Sequence, residues 1–457
     1  MVTYDMSLRG ALPLYEYLRR QLKADMDGGR LLPGEKLPSK RALAQHLKVS
    51  VITVQSAYEQ LAAEGYLTSR EKSGYFVSSA LPRPPKEPPL FQPEEPPRQW
   101  LVDLSSNRIC AEHFPFALWA KLTRNILSQE DTHLLQSAPA QGLRVLREAI
   151  ARHLYRFRGL AVQPEQVVVG AGTEYLYGLL IQLLGRDKIY AIEDPGYLKV
   201  AAICRLSGAL CRHLPLDGQG LSLSALAASD AQVLHLSPSH HFPTGKVMPM
   251  ARRWELIRWA QALPGRWLIE DDYDSEFRFD ARPMPPLQSL DGERVIYVNT
   301  FSKTIAPSIR ISYMVLPPAL LSRWREAFAS HACTVPSLEQ HTLARFIQEG
   351  HFEQHINRMK KRYRAQRDEV IRAILQSPLG NRSQILEENA GLHFLLRLDT
   401  QKSDGSLRSQ AARQGLRLRF LSDYAVSQAQ PHHLIVNYSG LDSSIMPRAA
   451  ELMHQLL

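Results

Sequence analysis

The chain has 457 residues, 44% of them hydrophobic, and a formal net charge of +10 at pH 7. This length and apolar content predict two or three domains with a substantial core, and the positive charge fits contact with a polyanion as well as general solubility. The four cysteines are too sparse for a disulfide framework, and neither a leader peptide nor an apolar run of about 18 residues is present. We therefore expect a soluble, unprocessed cytoplasmic protein, and exclude the disulfide-rich secreted and membrane-spanning classes.

Three helical patterns open the chain. Residues 13–26 carry an apolar stripe at helical spacing. Ser39 and Ser50 are natural N-caps for two further helices, over residues 40–47 and 51–64. Two short helices joined by a tight turn predict a helix-turn-helix, although an ordinary helical hairpin gives the same pattern.

A β-hairpin is expected next, with strands over residues 65–70 and 75–77 and a turn between them. Such a hairpin is the wing of a winged helix. The second helix of the pair would then face the major groove, where hydroxyl and amide side chains read base edges, and cations at the start of the first helix would meet phosphates. The residues that we expect at DNA are Ser39, Lys40, Arg41, Ser50, Thr53, Gln55, Ser56, Ser73 and Gly74.

This part of the chain, residues 1–80, resembles the GntR-type winged-helix domain almost from end to end. The resemblance rests on Leu37-Pro38-Ser39-x-Arg41-x-Leu43-Ala44, Val49-Ser50, Thr53-Val54, Ala57-Tyr58, Leu61 and Ala63-Glu64-Gly65-Tyr66-Leu67. It implies a double-stranded DNA operator as partner. The family commonly has a basic residue where this chain has Val51, so the contact that such a residue makes is not carried over to this position.

A proline-rich segment separates the two halves of the chain. Residues 81–98 hold eight prolines among charged residues. This composition favours extended polyproline conformations and cannot form a core. A disordered tail has the same composition, but a tail would not lie between two patterned domains, so we interpret residues 81–100 as a semi-rigid linker.

Residues 101–457 alternate short apolar runs with helical patterns. This alternation predicts an α/β domain with a mainly parallel sheet wrapped by helices and with ligand groups at the strand ends. The runs are residues 166–169, 188–192, 233–236, 267–269 and 295–298.

Polar motifs follow three of these runs. Residues 170–176 form a glycine turn that leads into a helix, where backbone N–H groups could hold a phosphate. Residues 270–274 gather four carboxylates whose repulsion requires a cation, and metal binding is one reading of them. Residues 299–310 offer hydroxyls, a lysine and an arginine. Pyridoxal phosphate (PLP) uses all three together, because it needs a lysine amine, a carboxylate for its ring nitrogen and a phosphate cradle.

The order of these motifs resembles that of the fold-type I aminotransferases, from Val102 to the C-terminus. The resemblance implies PLP as cofactor and no metal. By motif, Lys303 is similar to the Schiff-base lysine, Asp271 to the partner of the pyridine nitrogen and Tyr273 to the residue that bonds the phenolic oxygen. Tyr197 is similar to the aromatic residue that stacks on the ring. The phosphate cradle would consist of Ser302, Arg310, Gly172, Thr173 and Glu174, with Thr300 as a weaker candidate.

One departure from the aminotransferase pattern points to a regulator. The segment Ser237-Pro238-Ser239-His240-His241 places His240 where aminotransferases have an asparagine beside the cofactor. Such segments are typical of MocR-type regulators, which fuse a GntR-type winged helix to an aminotransferase-like domain. This resemblance implies a small C-terminal α+β subdomain and a head-to-tail homodimer.

A second departure concerns substrate capture. Aminotransferases hold the substrate α-carboxylate with a forked arginine, and Ile435 stands where it is expected. Arg417 and Arg419 could replace it, but as residues of an amphipathic strand they fit the solvent-facing side better. The sequence thus predicts a PLP-dependent regulator that senses PLP, an amine or an amino acid. The alternatives are an active aminotransferase with an accessory DNA-binding domain, and a cofactor-independent repressor whose large domain only dimerises.

Overall fold

The computed structural model describes residues 2–79, 99–105, 113–129, 131–279, 284–389, 391–427 and 430–457. The chain divides into two compact units, Met1–Arg98 and Gln99–Leu457. The predicted linker lies outside the described residues except for its last two positions. Within the described ranges, no helix is long and apolar enough to cross a membrane.

The N-terminal unit contains three helices and a hairpin: α1 (Leu14–Asp27), α2 (Lys40–Leu47), α3 (Val51–Ala63), β1 (Leu67–Arg70) and β2 (Gly74–Val77). The two strands pair antiparallel, from Leu67 opposite Val77 to Arg70 opposite Gly74. Ser39 and Ser50 cap α2 and α3, as the sequence predicts, by accepting hydrogen bonds from the backbone N–H groups of Ala42 and Thr53.

The core of this unit forms where the apolar stripes of its helices meet. Leu22 of α1, Leu43 of α2 and Val54 of α3 are fully buried in one cluster, which also takes in Leu67 and Val77 of the hairpin. Each helix therefore turns its polar side outward, since the stripe at helical spacing is used for packing. The arrangement is a winged helix-turn-helix.

The large unit contains thirteen α-helices and thirteen strands within its described residues. The helices are α4 (Phe116–Leu127), α5 (Arg144–Arg158), α6 (Thr173–Leu184), α7 (Leu198–Leu206), α8 (Leu223–Ala227), α9 (Met250–Gln261), α10 (Leu287–Leu290), α11 (Phe301–Thr304), α12 (Pro318–Ala327), α13 (Ser337–Gln348), α14 (His351–Leu375), α15 (Asp404–Arg413) and α16 (Met446–Leu456). The strands are β3 (Val102–Asp103), β4 (Val167–Gly170), β5 (Ile189–Asp194), β6 (Leu210–Asp217), β7 (Gly220–Leu221), β8 (Val233–Leu236), β9 (Trp267–Asp271), β10 (Val295–Thr300), β11 (Ser312–Val315), β12 (Ser383–Leu386), β13 (His393–Leu398), β14 (Leu416–Arg417) and β15 (His433–Asn437).

Eight strands form the central sheet in the order β4-β11-β10-β9-β8-β5-β6-β7. The neighbours from β10 through β9, β8 and β5 to β6 are parallel, whereas β11 runs antiparallel to both β4 and β10. The predicted, mainly parallel sheet is therefore confirmed. Because β5, β8, β9 and β10 run in the same direction, the segments that follow them emerge at one edge.

A smaller antiparallel sheet, β12-β13-β15, carries the C-terminal part of the chain together with α15 and α16. The predicted small α+β subdomain is thus present. Strand β14 pairs with β3, so the beginning of the large unit lies beside a strand from its C-terminal part.

Candidate functional site

A cavity of about 230 Å³ lies at the carboxyl ends of the parallel strands. Segments that follow β4, β5, β8, β9 and β10 contribute to it, and so do residues close to the small sheet. The described residues that line it are Ser105, Thr173, Tyr197, Ser237, Phe242, Asp271, Tyr273, Thr300, Lys303, Tyr424 and Asn437. The chain therefore brings the lysine, the carboxylate and the aromatic residues singled out by motif to one cavity, although they are up to 106 positions apart in sequence.

Lys303 reaches the cavity from α11, the short helix after β10. Thr300 caps this helix: its Oγ1 accepts a hydrogen bond from the backbone N–H of Ser302 at 3.1 Å and one from Ser312 Oγ at 2.7 Å. Burial lowers the pKa of the Lys303 amine, while Asp274 and Asp271 oppose that shift. A larger share of the amine is therefore neutral, which is the nucleophilic form.

Asp271 ends β9 and places one carboxylate oxygen without a partner beside the cavity. Its Oδ2 lies 3.5 Å from Nε2 of His235, which also lies 2.9 Å from the hydroxyl of Tyr177. Its Oδ1 is buried and has no hydrogen-bond partner among the described residues. A buried charged oxygen is costly without a donor, so this atom suits a ligand that brings an N–H group.

The neighbouring carboxylates Glu270 and Asp272 each have hydrogen-bond partners of their own. Glu270 accepts from the backbone N–H groups of Leu287 and Gln288, at 2.9 and 3.0 Å. Asp272 pairs with Arg158 at 2.7 Å and accepts from the Tyr297 hydroxyl at 2.6 Å. Although burial opposes it, the charge of Arg158 holds the pKa of Asp272 below its usual value. Within the described residues no group of three or more acidic, histidine or cysteine side chains could hold a metal.

Tyr273 and His240 lie side by side next to the cavity. His240 Nδ1 is 2.9 Å from Asp274 Oδ2 and 3.2 Å from the Tyr273 hydroxyl. Its Nε2 is buried and has no partner in the described part of the chain. A carboxylate can only accept, so Nδ1 of His240 carries a proton and donates it to Asp274. His240 itself is not among the residues that line the cavity.

Two of the residues predicted for a phosphate cradle, Gly172 and Arg310, meet at the beginning of α6. Gly172 caps this helix with φ +97°, and a Cβ there would lie 2.3 Å from Nη2 of Arg310. Only glycine therefore lets the guanidinium approach the helix N-terminus, where backbone N–H groups favour anions. Ser302 Oγ is buried and finds no partner within the described residues. Glu174 is exposed and pairs with Lys199 at 2.5 Å, so only its backbone remains for such a role.

Aromatic rings enclose the cavity from the side of the small sheet. The rings of Tyr197 and Phe242 meet edge to face with centroids 6.0 Å apart, and those of Phe242 and Tyr424 with centroids 4.9 Å apart. Among them only Tyr197 was expected at the cofactor. Tyr424, Ser105 and Asn437 were missed, because they come from distant parts of the chain and no local pattern marks them. Ser237 and Phe242 were also not predicted as site residues, although they belong to or directly follow the segment that carries His240.

The position expected for a carboxylate-binding arginine is apolar. Ile435 is 1% exposed in β15 and packs with Leu395 and Leu421 in a small cluster that Tyr424 also contacts. Arg417 is exposed and pairs with Asp103 at 3.3 Å, whereas Arg419 is only partly exposed and lies 3.8 Å from Asp423. Neither of these two arginines is among the described residues that line the cavity.

The N-terminal unit presents the residues predicted to meet DNA with varied exposure. Ser39, Arg41, Ser50, Ser73 and Gly74 are exposed, and Lys40, Thr53, Gln55 and Ser56 are partly exposed. Thr53 bonds the Ser50 hydroxyl at 2.8 Å, and Gln55 donates to Glu59 at 2.8 Å. Ile52 was not predicted to contact DNA, although it is 75% exposed at the beginning of α3. The sequence could have indicated it, because Ile52 is apolar and does not belong to the buried stripe of α3. An exposed apolar side chain at this place can contact thymine methyl groups.

Comparison with known proteins matches both units to families. A family described as "Bacterial regulatory proteins, gntR family" matches residues 14–77, and "Aminotransferase class I and II" matches residues 100–451. YdeL of Bacillus subtilis, an uncharacterized HTH-type transcriptional regulator, is 39% identical over 92% of this chain and 91% of its own length. The probable rhizopine catabolism regulatory protein MocR of Rhizobium meliloti is 32% identical over 95% of this chain and 92% of its own.

Among solved structures, a kynurenine aminotransferase of Pyrococcus horikoshii superposes with a TM-score of 0.69. The match covers 79% of this chain and 91% of that enzyme, at 20% sequence identity. At this identity the likeness extends to the fold of the large unit and not to its activity. The expected fold-type I architecture is confirmed.

Proposed function

This chain belongs to the MocR-type transcriptional regulators, and on that premise we propose that its large unit binds PLP and senses PLP itself, an amine or an amino acid. A GntR-type domain followed by an aminotransferase-like domain makes it a DNA-binding transcriptional regulator. In this proposal the N-terminal unit binds an operator in the cytoplasm, and the regulator is a head-to-tail homodimer. The observation that carries the ligand proposal is the meeting of Lys303, Asp271 and Tyr273 at one cavity.

The donor and acceptor groups at the cavity fit PLP. Asp271 Oδ1 and Ser302 Oγ are buried polar atoms without partners in the described residues, and Gly172 leaves room for the guanidinium of Arg310. A carboxylate suits a pyridinium N–H group, and a hydroxyl with an arginine at a helix N-terminus suits a phosphate. The polar groups present therefore match the ring nitrogen at one end of PLP and the phosphate at the other.

Bound PLP supplies a carbonyl carbon that a primary amine can attack and a ring that draws electrons from it. The lowered pKa of Lys303 provides such an amine in its neutral form. Asp271 holds a proton at the ring nitrogen by its negative charge, while Tyr273, beside His240, offers its hydroxyl to the phenolic oxygen. An added amine would compete with Lys303 for the same carbonyl carbon.

Sensing is favoured over turnover because, in the part of the chain that the structure describes, the position expected for an α-carboxylate anchor is apolar. Ile435 supplies an apolar surface where a bidentate arginine would bind and orient an amino acid. Without that orientation, a ligand can occupy the site while the reacting atoms are poorly aligned. We therefore expect little transamination of common α-amino acids by the full-length protein.

Operator affinity is expected to respond to the ligand. A ligand shifts a two-state protein only if it binds the two states unequally, so PLP or an added amine should change the dissociation constant for DNA severalfold. The measurement is fluorescence anisotropy of full-length protein on duplexes that it selects from a randomised library, with and without PLP and a series of amines. Efficient steady-state transamination, together with DNA affinity indifferent to all ligands, would favour the enzyme alternative instead.

Replacing Arg41 with alanine is expected to weaken binding to all DNA sequences by a similar factor. Arg41 is exposed at the start of α2, where its charge can meet a phosphate. One lost phosphate contact should reduce the salt slope of log K by about 0.9. Gln55→Ala is the matched variant on α3, where an amide can read a base edge, and it should alter sequence preference instead. An Arg41→Ala protein that changes only sequence preference would contradict the phosphate assignment.

A further inference from the structure

The excess positive charge of the chain lies mainly outside the winged helix. Residues 1–80 hold 11 Lys and Arg against 8 Asp and Glu, whereas residues 99–457 hold 41 against 34. A single helix, α14, has seven Lys and Arg against three Asp and Glu. Its net charge of +4 exceeds that of the whole N-terminal unit, so a polyanion would be attracted to α14 as well.

Three of these cations form one exposed face, which we call the basic face. Arg358, Lys361 and Arg362 are exposed, and their spacing of three and four residues places them side by side on the helix surface. In the described residues none of the three pairs with a carboxylate. Elsewhere on the surface, arginines such as Arg144 and Arg448 pair with an acidic residue on their own helix. The charge of the basic face is therefore not balanced within the described chain.

The opposite side of α14 fixes the helix firmly to the large unit. Its buried residues include Phe352, Met359 and Tyr363, each about 1% exposed, and they belong to the main core. The basic face is thus carried on a rigid support, which reduces the entropy cost of presenting several cations together.

Arg358 is also joined to the segment that carries Lys303. Its Nη2 lies 3.1 Å from His355 Nδ1, and His355 Nε2 lies 3.0 Å from the carbonyl oxygen of Thr304. A guanidinium only donates and a carbonyl only accepts, so His355 must be neutral, with its proton on Nε2. Burial lowers the pKa of His355 to about 4, which keeps it in this state at neutral pH.

We propose that the basic face of α14 is a second DNA-binding surface, which contacts the phosphates of the duplex and does not read its bases. A face formed by cations alone fits phosphates better than it fits a protein partner, because protein interfaces place aromatic and apolar residues at their centre. Because α14 and the N-terminal unit belong to one chain, phosphate contacts on α14 would add to those of the N-terminal unit as a second, linked binding event. This inference goes beyond ligand sensing and relies only on DNA binding by the N-terminal unit.

The test is the salt dependence of DNA binding by the full-length protein with both Lys361 and Arg362 changed to alanine. Arg358 is left in place because of its bond to His355. On a mixed-sequence duplex, each lost phosphate contact reduces the slope of log K against log salt by about 0.9, so we expect a slope smaller by about 1.8 per protomer. The matched control changes Arg323 and Arg325, two exposed arginines of α12, to alanine and alters the net charge equally. It should leave the slope unchanged.

Both variants are first checked for an unchanged elution volume in size-exclusion chromatography and an unchanged midpoint of thermal unfolding. An unchanged slope for the α14 variant, or an equal decrease in the α12 control, would overturn the proposal. Loss of binding to anionic lipid vesicles with an unchanged DNA slope would also overturn it and would assign the face to a membrane surface. If unsubstituted protein bound no DNA at all, the operator proposal itself would fail, which is a different result from an unchanged slope.

Discussion

Lys303→Ala should abolish covalent retention of PLP. The Lys303 amine is the only lysine amine among the described residues that line the cavity, and burial lowers its pKa toward the nucleophilic form. After incubation with PLP and borohydride, which makes a lysine–cofactor bond permanent, unsubstituted protein should carry one adduct on the peptide that contains Lys303. The variant should carry none, and the visible absorbance of the complex should be lost. Peptide mass spectrometry provides the measurement.

Lys199→Ala is the control for this experiment. Lys199 is the other lysine whose charge reaches Lys303, but its amine is bonded to Glu174 at 2.5 Å. Its loss removes an exposed ion pair, which contributes at most about 1 kcal/mol. The control should therefore retain the adduct on Lys303. An adduct on any other residue of saturated, unsubstituted protein would refute the assignment.

The second large effect separates two adjacent carboxylates. Asp272→Asn should lower the free energy of unfolding by roughly 3 kcal/mol or more, since it leaves the buried charge of Arg158 without its partner. Asp271→Asn should change stability less, because Asp271 Oδ1 has no partner to lose among the described residues and the contact of Oδ2 with His235 is long, at 3.5 Å. In PLP binding the order reverses: Asp271→Asn should raise the dissociation constant tenfold or more, as a charged hydrogen bond contributes about 1.5–3 kcal/mol.

The measurements for this pair are thermal unfolding at a fixed scan rate and titration with PLP followed by absorbance. Each variant is the isosteric control for the other, because both replace a carboxylate with an amide at adjacent positions. Equal effects of the two substitutions on PLP affinity would reject the assignment of Asp271 to the ring nitrogen. Equal effects on stability would show that the ion pair with Arg158 contributes less than its burial suggests.

Local patterns predicted the elements of the N-terminal unit and five strands of the central sheet, and the family resemblance of the motifs predicted six of the eleven described residues that line the cavity. Apolar runs such as residues 233–236 mark parallel strands buried on both faces, and β8 covers the same four residues. The motifs after β9 and β10 then identified Asp271 and Lys303 as cavity residues. The serine caps of α2 and α3 were predicted for the same reason, since capping involves residues three positions apart.

Long-range partners could not be predicted. The run of carboxylates from Glu270 to Asp274 is compatible with a metal, because periodicity does not reveal that Arg158, 114 positions before Asp272, neutralises one of them. Asn437 and Ser105 reach the cavity only after the chain closes on itself. Such contacts depend on which elements pack together, and neighbours in sequence carry no signal of this packing.

The bonds from Arg358 through His355 to Thr304 have a thermodynamic consequence. If DNA phosphates bind Arg358, the hydrogen bonds through His355 link the bound phosphates to Thr304, the residue next to Lys303. Coupling between two binding sites is reciprocal, so a ligand that changes operator affinity by some factor must have its own affinity changed by operator DNA by the same factor. The operator would then be an effector of the cofactor site, and the visible absorbance of bound PLP would serve as a readout of DNA occupancy.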